Sequence, residues 1–395
     1  MNLIEREITE SSLMKFREFQ FDMHEEFIKV GLKYLINLGL NYDPMVYDFE
    51  ACPFVRSEDL TYSEIHNYAV NTLKVQLFDD NHIFLNLNIP RILNRSFFRL
   101  NSVNYVPVFY ISDEPIIRKE KSILLTSTFH PITLYFKDNR VIFMGSNILI
   151  SDFFQAITYD WDDQSKQIIE NHFKIDLNEK SITDVIDIIS TKIYSAPTLR
   201  DIKYRIEEVF FDDWTSELYR VFYNIEPTFD NVLKIALNKW IYEPKRSFID
   251  LRYKRLTFIE PILKPFFRAV TRASMRLING TQPRDLKLSL DAFVKGFFED
   301  LDGNVLYDTV NGFSSVLAHK ASFKNPFGTG RLPKEVSSIH ATHKGRICTN
   351  SITNSDPGQT VNLIPDQNID LRYGIFKFTN DELASYNEID DNNTK

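Results

Sequence analysis

The chain has 395 residues, 43% of them hydrophobic and 25% charged, with a formal net charge of −8. That length accommodates about two to three compact domains of ordinary globular composition, and the acidic balance argues against a free-standing DNA-coating protein. Two cysteines, Cys52 and Cys348, exclude a disulfide scaffold and a four-cysteine zinc site, no apolar run is long enough to cross a bilayer, and Met1–Glu7 lacks signal-peptide order, so a soluble intracellular protein is expected.

Phe16, Phe19, Met23, Phe27, Val30, Tyr34 and Leu38 recur at spacings of three and four, which predicts one helix over residues 13–40. Residues 46–108 read mostly as strands. The clearest are 71–78 and 82–89, apolar-polar alternations separated by Asp79-Asp80-Asn81 and closed by Pro90. Strands follow at 122–127, 133–136 and 140–144, the last two split by a turn at Lys137-Asp-Asn139. Helical periods dominate residues 151–223, break at 224–227 and resume over 230–242. A further helix starts near Pro265, where the missing N–H costs nothing, and stops at Asn279-Gly280. Phe266, Phe267, Val270, Ala273 and Leu277 form its apolar face. Residues 311–365 are rich in Gly, Pro, Asn, Ser and Lys and read as a long functional loop. Residues 381–395 are polar and acidic and are expected to fray.

Charge is unevenly spread. Between Tyr242 and Lys287 lie Lys245, Arg246, Arg252, Lys254, Arg255, Lys264, Arg268, Arg272, Arg276, Arg284 and Lys287, opposed only by Glu243, Asp250, Glu260 and Asp285. Between Ala318 and Arg346, Lys320, Lys324, Arg331, Lys334, Lys344 and Arg346 face only Glu335. Such concentration predicts a phosphate-facing groove, the alternative being a solvated helix face with loop lysines. Arg268, Arg272 and Arg276 repeat at i, i+4, where like charges cost about 0.2–0.5 kcal/mol per pair, a cost that an anionic partner would offset.

The most informative stretch is His340-Ala-Thr-His343-Lys344-Gly345-Arg346-Ile-Cys348. It resembles the fork region of the β subunit of multisubunit DNA-directed RNA polymerases, which carries V-H-P-S/T-H-x-G-R-x-C-P. Other segments follow in the same order over residues 60–365. Thr61-Tyr-Ser with Asn88-Ile89-Pro90-Arg91, Ser96–Ser102, Tyr135–Arg140 with Ile148–Ile157, Tyr253-Lys254-Arg255-Leu256 with Glu260, Val294–Phe298 and Asn311–Lys320 each resemble a β-subunit motif. Independent signals that agree in order carry more weight than any one alone. The family continues beyond the point where this chain stops, so the resemblance implies the N-terminal fragment of a split β subunit. Split subunits of this kind belong to the RNA polymerases of giant bacteriophages, with the non-virion enzyme preferred and virion packaging left open. After Cys348 the family's T-P-E-G glutamate has no clear counterpart; Asn354 stands opposite it and Asp356 lies two residues on.

The resemblance implies an elongated multidomain α+β chain. A protrusion would form from 1–111 and 246–310, a lobe would be inserted at 112–245, and a fork region at 311–395 would be completed by another chain. Catalytic Mg²⁺ is expected on another subunit, because two-metal phosphoryl transfer needs a carboxylate cluster and no D-x-D-x-D run is present; this chain would bind no cofactor. Its part would be positioning and charge. The active-centre wall would be Arg346, His343, His340 and Gly345. Arg346 offers a planar donor fork to phosphate, or else a buried ion pair or a cap on carbonyls. The histidines hydrogen-bond backbone or touch substrate; a zinc site with Cys348 has poor spacing and no fourth ligand. Gly345 permits a tight turn or a close approach. Nucleic acid would meet Arg331, Lys334, His319, Lys320, Lys344, Arg268, Arg272 and Arg276, with core packing as the alternative for His319 and a solvated loop for Arg331 and Lys334. Expected partners are the C-terminal β fragment, β′-type subunits, DNA template, nascent RNA, NTPs and a possible promoter-specificity subunit, in the cytoplasm of an infected bacterium with no membrane contact. Rival readings are a non-catalytic module binding DNA or host polymerase, and a stand-alone metal-dependent hydrolase.

Overall fold

In a computed structural model the described residues are 11–38, 48–52, 70–77, 83–90, 98–100, 103–119, 121–136, 138–192, 198–244, 246–279, 305–306, 319–323, 334–352 and 360–393. They form a mixed α+β fold. Two helices open it, α1 (Ser12–Asp22) and α2 (His24–Asn37). The periodicity of residues 13–40 predicts one helix; instead the chain breaks at Met23, whose backbone N–H caps α1 on the Phe19 and Phe21 carbonyls. Phe16, Met23, Phe27, Val30 and Tyr34 of the predicted face are buried, but Phe19 is exposed while Arg17 and Gln20 of α1 are buried.

Three short strands, β1 (Asp48–Cys52), β2 (Val70–Leu77) and β3 (Ile83–Pro90), pair antiparallel in that order. β4 (Phe98–Leu100), β5 (Val103–Val106) and β13 (Val305–Leu306) form a second sheet. A third is a local antiparallel meander: β7 (Ile116–Arg118), β8 (Ser122–Leu125), β9 (Ile132–Tyr135), β10 (Arg140–Phe143) and β11 (Ser146–Leu149). Its β9–β10 turn is made by Asn139 at φ 50°, a left-handed conformation that asparagine tolerates. Helices follow: α3 (Ile150–Ile157), α4 (Asp163–Phe173), α5 (Ile182–Lys192), α6 (Leu199–Phe210), α7 (Asp213–Tyr223) and α8 (Phe229–Ile241). Asp162, Thr198, Asp212 and Thr228 each cap a helix by accepting a backbone N–H with the side chain. Asn224 stops α7 in the left-handed region, at the break that the sequence places at 224–227.

The fourth sheet is the least local. β6 (Phe109–Asp113) lies between β12 (Lys254–Thr257), antiparallel, and β14 (Lys320–Phe323), parallel; β15 (Thr360–Asn362) closes the edge. Strands from four distant parts of the chain thus share one sheet. After β12 come the short α9 (Ile259–Ile262) and then α10 (Lys264–Ile278), with Pro265 in its first turn.

Two hydrophobic cores result. The fully buried side chains of one all come from residues 116–237, the meander with the helices that follow it, with Leu38, Trp240 and Ile278 packed against its margin. The other gathers α1, α2, Phe109, Ile111, the 249–273 stretch and residues as distant as Phe323, Ile347, Leu363 and Phe376, together with Phe129, Trp214 and Leu218. One core therefore interrupts the sequence of the other. Segments 319–323, 334–352 and 360–378 bury side chains in the same core as the first helix. At the seam between α2 and α10, a Cβ on Gly31 would sit 2.7 Å from the Phe266 ring, so only glycine lets the helices approach this closely.

Candidate nucleic-acid interface

The His340–Cys348 block is a pair of tight turns. Its first turn, Ala341–His343, is a 3₁₀ turn closed by a reciprocal cap. The His340 Nδ1 accepts the Thr342 N–H at 3.3 Å, and the His343 Nδ1 accepts the His340 N–H at 3.3 Å. His343 is 1% exposed, and its Nε2 donates to the Ile249 carbonyl at 3.0 Å. Both its ring nitrogens are thus committed to backbone. Burial lowers its pKa, only partly offset by the Ile249 bond. Gly345 adopts φ +71°, with open space where a Cβ would lie, so it serves the turn rather than a close approach.

Arg346 is 6% exposed, and its guanidinium faces inward. It forms a two-pronged pair with Glu382, both contacts 3.1 Å, donates to the Lys377 carbonyl at 2.9 Å and to the Lys344 carbonyl at 3.2 Å, and lies 4.0 Å over the Phe378 ring. Of the two roles that the sequence allows for Arg346, the buried pair with carbonyl caps is the one seen. Its partner comes from the tail expected to fray. Residues 380–393 instead form α11 (Asn380–Asn393). Thr379 and Glu382 cap it reciprocally, with the Thr379 N–H donating to Glu382 at 2.9 Å and the Glu382 N–H to the Thr379 hydroxyl at 3.3 Å. Thr379-Asn-Asp-Glu382 is a capping-box pattern, the signal that could have revealed this helix. The Arg346 hydrogen bond, followed by the cap, holds the Glu382 carboxyl below its usual range. Replacing Arg346 with alanine should loosen α11 by roughly 1.5–3 kcal/mol, the worth of hydrogen bonds to a charged group. Limited proteolysis should then cut within 380–393 faster while the remainder stays resistant; an unchanged pattern would remove Arg346 as the anchor.

His319 is 2% exposed at the edge of β14, and among the described residues its Nε2 has no hydrogen-bond partner. Burial, and then the Arg17 charge, push its pKa down to about 4. His130, whose Nε2 meets the Ser274 hydroxyl at 2.7 Å, is also lowered to about 4 by burial. The unfolded chain takes up these protons near pH 6.5 while the folded chain refuses them down to about 4. Stability contributed by the two neutral rings is therefore complete above pH 6.5 and drains away as pH falls toward 4. Urea midpoints should drop between pH 7.5 and 5.5, and His319→Gln should flatten that dependence.

The remaining expected contacts fall in different places. Lys334 and Lys344 are exposed on turns, Lys320 is half-buried in β14, and Arg331 lies outside the described residues, as do Lys245, Arg284, Lys287, Asn354, Asp356 and the 61–63 and 294–298 motifs. The part of the basic run from Arg246 to Arg255 is neutralised inside the fold. Arg246 pairs with Glu114 and Glu243, Arg252 with Asp250, Lys254 with Asp113, and Arg255 with Glu260 through two contacts of 2.6 Å. Counting acids nearby in sequence misses Asp113, the last residue of β6, and Glu114 just after it, which lie 141 residues from Lys254 and 132 from Arg246. Among the described residues the exposed cations of this stretch are Lys264, Arg268, Arg272 and Arg276, all on the outer face of α10. Lys264 stands in the basic run but not among the expected nucleic-acid contacts, although its i, i+4 spacing to Arg268 places it with them.

Among the described residues no group of three His, Cys, Asp or Glu side chains is arranged to hold a metal ion, and no helix is long and apolar enough to cross a membrane. No known protein-family model matches the chain, and no curated protein matches it.

Proposed function

We propose that this chain is the N-terminal part of a split β subunit of a giant-phage DNA-dependent RNA polymerase, forming one wall of the DNA/RNA cleft and the fork beside the active centre. The observation that carries this reading is the collinear run of β-like motifs over residues 60–365, ending in the His340–Cys348 block. Two features of the fold agree with it. A core built from residues 116–237 interrupts the chain path of another, the connectivity of a lobe set into a protrusion. The fork block is a rigid turn whose histidines are tied to backbone, as a wall requires.

In this reading the chain positions nucleic acid and nucleotide phosphates, while catalytic Mg²⁺ is held by carboxylates of a β′-type subunit. Arg346 acts by fixing the wall to α11, and direct phosphate contact falls to exposed cations. The other partners are a C-terminal β fragment and, for initiation, a promoter-specificity subunit, in the host cytoplasm.

Affinity purification of the tagged chain from infected cells tests this. A stoichiometric complex with a second β fragment and β′-type chains, extending RNA on DNA with Mg²⁺, is expected. Recovery with host polymerase subunits alone would replace the proposal with a host-binding module, and recovery as a lone metal-containing enzyme would refute both.

A further inference from the structure

We infer that the outer face of α10 is a track for the phosphodiester backbone of nucleic acid, separate from the His340–Arg346 block. Lys264, Arg268, Arg272 and Arg276 repeat at i, i+4, so they rise as one column on one face of the helix. The column spans about 18 Å at 1.5 Å per residue, which matches about five phosphates of one strand at 3.4 Å rise. No Asp or Glu occurs anywhere in the helix.

The helix cannot turn this face away. Phe266, Phe267, Val270 and Ala273 are buried on its other side, and the Gly31 seam locks it against α2. The Nε of Arg272 donates to the Arg268 carbonyl at 3.3 Å, which lays one guanidinium along the column. Arg268 has an interaction of its own within the chain, so the main weight falls on Lys264, Arg272 and Arg276.

Neutralisation elsewhere sharpens the assignment. Arg246, Arg252, Lys254, Arg255 and Arg346 all have carboxylate partners in the fold, so among the described residues the cationic surface that survives from the basic run is this column. A membrane surface is the poorer partner. A helix lying in a lipid interface inserts its apolar face, and that face of α10 is already spent on the core. A regular line of charge on a rigid helix instead suits a regular line of phosphates, read without regard to base. The inference shares with the polymerase reading the nucleic-acid partner and the three arginines of α10, but it is argued from the geometry of the helix and does not need the polymerase assignment.

The test is a quadruple variant, Lys264→Gln, Arg268→Gln, Arg272→Gln and Arg276→Gln, in the full chain. Its control carries the same change of net charge at four exposed cations elsewhere, Lys121, Lys174, Arg200 and Lys234. Binding to a short mixed-sequence DNA duplex and to the matching single strand is measured against salt. Four phosphate contacts give a slope near about −3.6, a loss of roughly a hundredfold between 50 and 200 mM salt. The α10 variant should lose at least tenfold in affinity at low salt and flatten that slope by about 0.9 for each contact removed, while the control binds as the parent does. The two DNA forms distinguish which strand arrangement the track prefers. Equal weakening in both variants, or ridge-dependent binding to anionic vesicles without DNA binding, would overturn the inference. If the multisubunit complex forms but the α10 variant binds DNA normally, only this inference falls. If the track binds DNA but no such complex exists, the polymerase assignment falls and the track stands.

Discussion

Gly374→Ala should abolish stable folding of the C-terminal segment, at a cost above about 4 kcal/mol, in the range reserved for severe steric or buried-charge defects. Gly374 has φ +71°, and an added Cβ would lie 1.8 Å from the Leu256 carbonyl oxygen and 3.1 Å from its nitrogen. Neither atom can yield. The Leu256 N–H donates to the Gly374 carbonyl at 2.7 Å, and Leu256 belongs to β12, which is paired to β6 in the central sheet. The turn itself is fixed by Asp370. Its carbonyl accepts the Gly374 N–H at 2.9 Å, and its carboxylate accepts the Arg372 and Tyr373 N–H groups at 3.0 and 2.8 Å.

Arg372 carries the consequence further. It reaches Glu26 on α2 at 2.5 and 3.1 Å and Glu217 on α7 at 2.8 and 3.2 Å, with its pKa raised chiefly by the Glu26 hydrogen bond. Losing the Gly374 turn therefore unpins a clamp between a helix of each flank of the fold. Urea unfolding followed by tryptophan fluorescence should report it, because Trp214 stacks on Tyr373 at 5.7 Å. A midpoint within error of the parent would show that the turn relaxes without harm. Arg372→Lys should be far milder, since it keeps the charge and leaves the turn intact.

How much of this was legible in the sequence depends on the range over which each interaction acts. The alternation at 71–78 and 82–89 gave strands that stand at 70–77 and 83–90. Pro265 and Asn279 bracketed α10 to within a residue. These are local signals, and local signals survive. The sheet that organises the core around α1 and α2 was not legible, because β6, β12, β14 and β15 are short and come from four distant segments. For the same reason the neutralisation of Arg246 and Lys254 is not legible: their partners Glu114 and Asp113 are remote in sequence, whereas Arg252 and Arg255 pair with the nearby Asp250 and Glu260. For Arg346 the sequence allows a phosphate-facing fork or a buried ion pair, and it hides the observed partner, Glu382, in an acidic tail recognisable only by its capping box. The two histidines were legible in a different way. A short turn with His at its first and fourth positions can close on itself, and backbone was the nearest available partner.

The second large effect is expected at Glu114, where the chain passes from one core to the other. Its N–H donates to the Tyr253 carbonyl at 3.0 Å, just after β6 and just before β12. Its carboxylate takes Lys239 at 2.6 Å and Arg246 at 2.8 Å on one oxygen and the Tyr223 hydroxyl at 3.1 Å on the other. Outgoing strand, last insert helix and returning chain thus meet at one side chain. Burial pulls the Lys239 pKa down, with Glu114 the main influence holding it up. Removing the acid strands a lysine whose side chain is 7% exposed, and breaking such a pair costs about 3–5 kcal/mol. Glu114→Gln should lower stability by that amount. Lys239→Met should cost less, since Arg246 and Tyr223 still satisfy the carboxylate, and combining the two should recover part of the loss through a coupling of about 0.5–3 kcal/mol. The pattern of unfolding should change as well. With the junction weakened, the core of residues 116–237 no longer needs to unfold together with the core that surrounds it, and one urea transition should separate into two. Tyrosine and tryptophan signals that still coincide in Glu114→Gln, with a loss below about 1 kcal/mol, would mean that the cores are coupled through the α2–α7 contact instead.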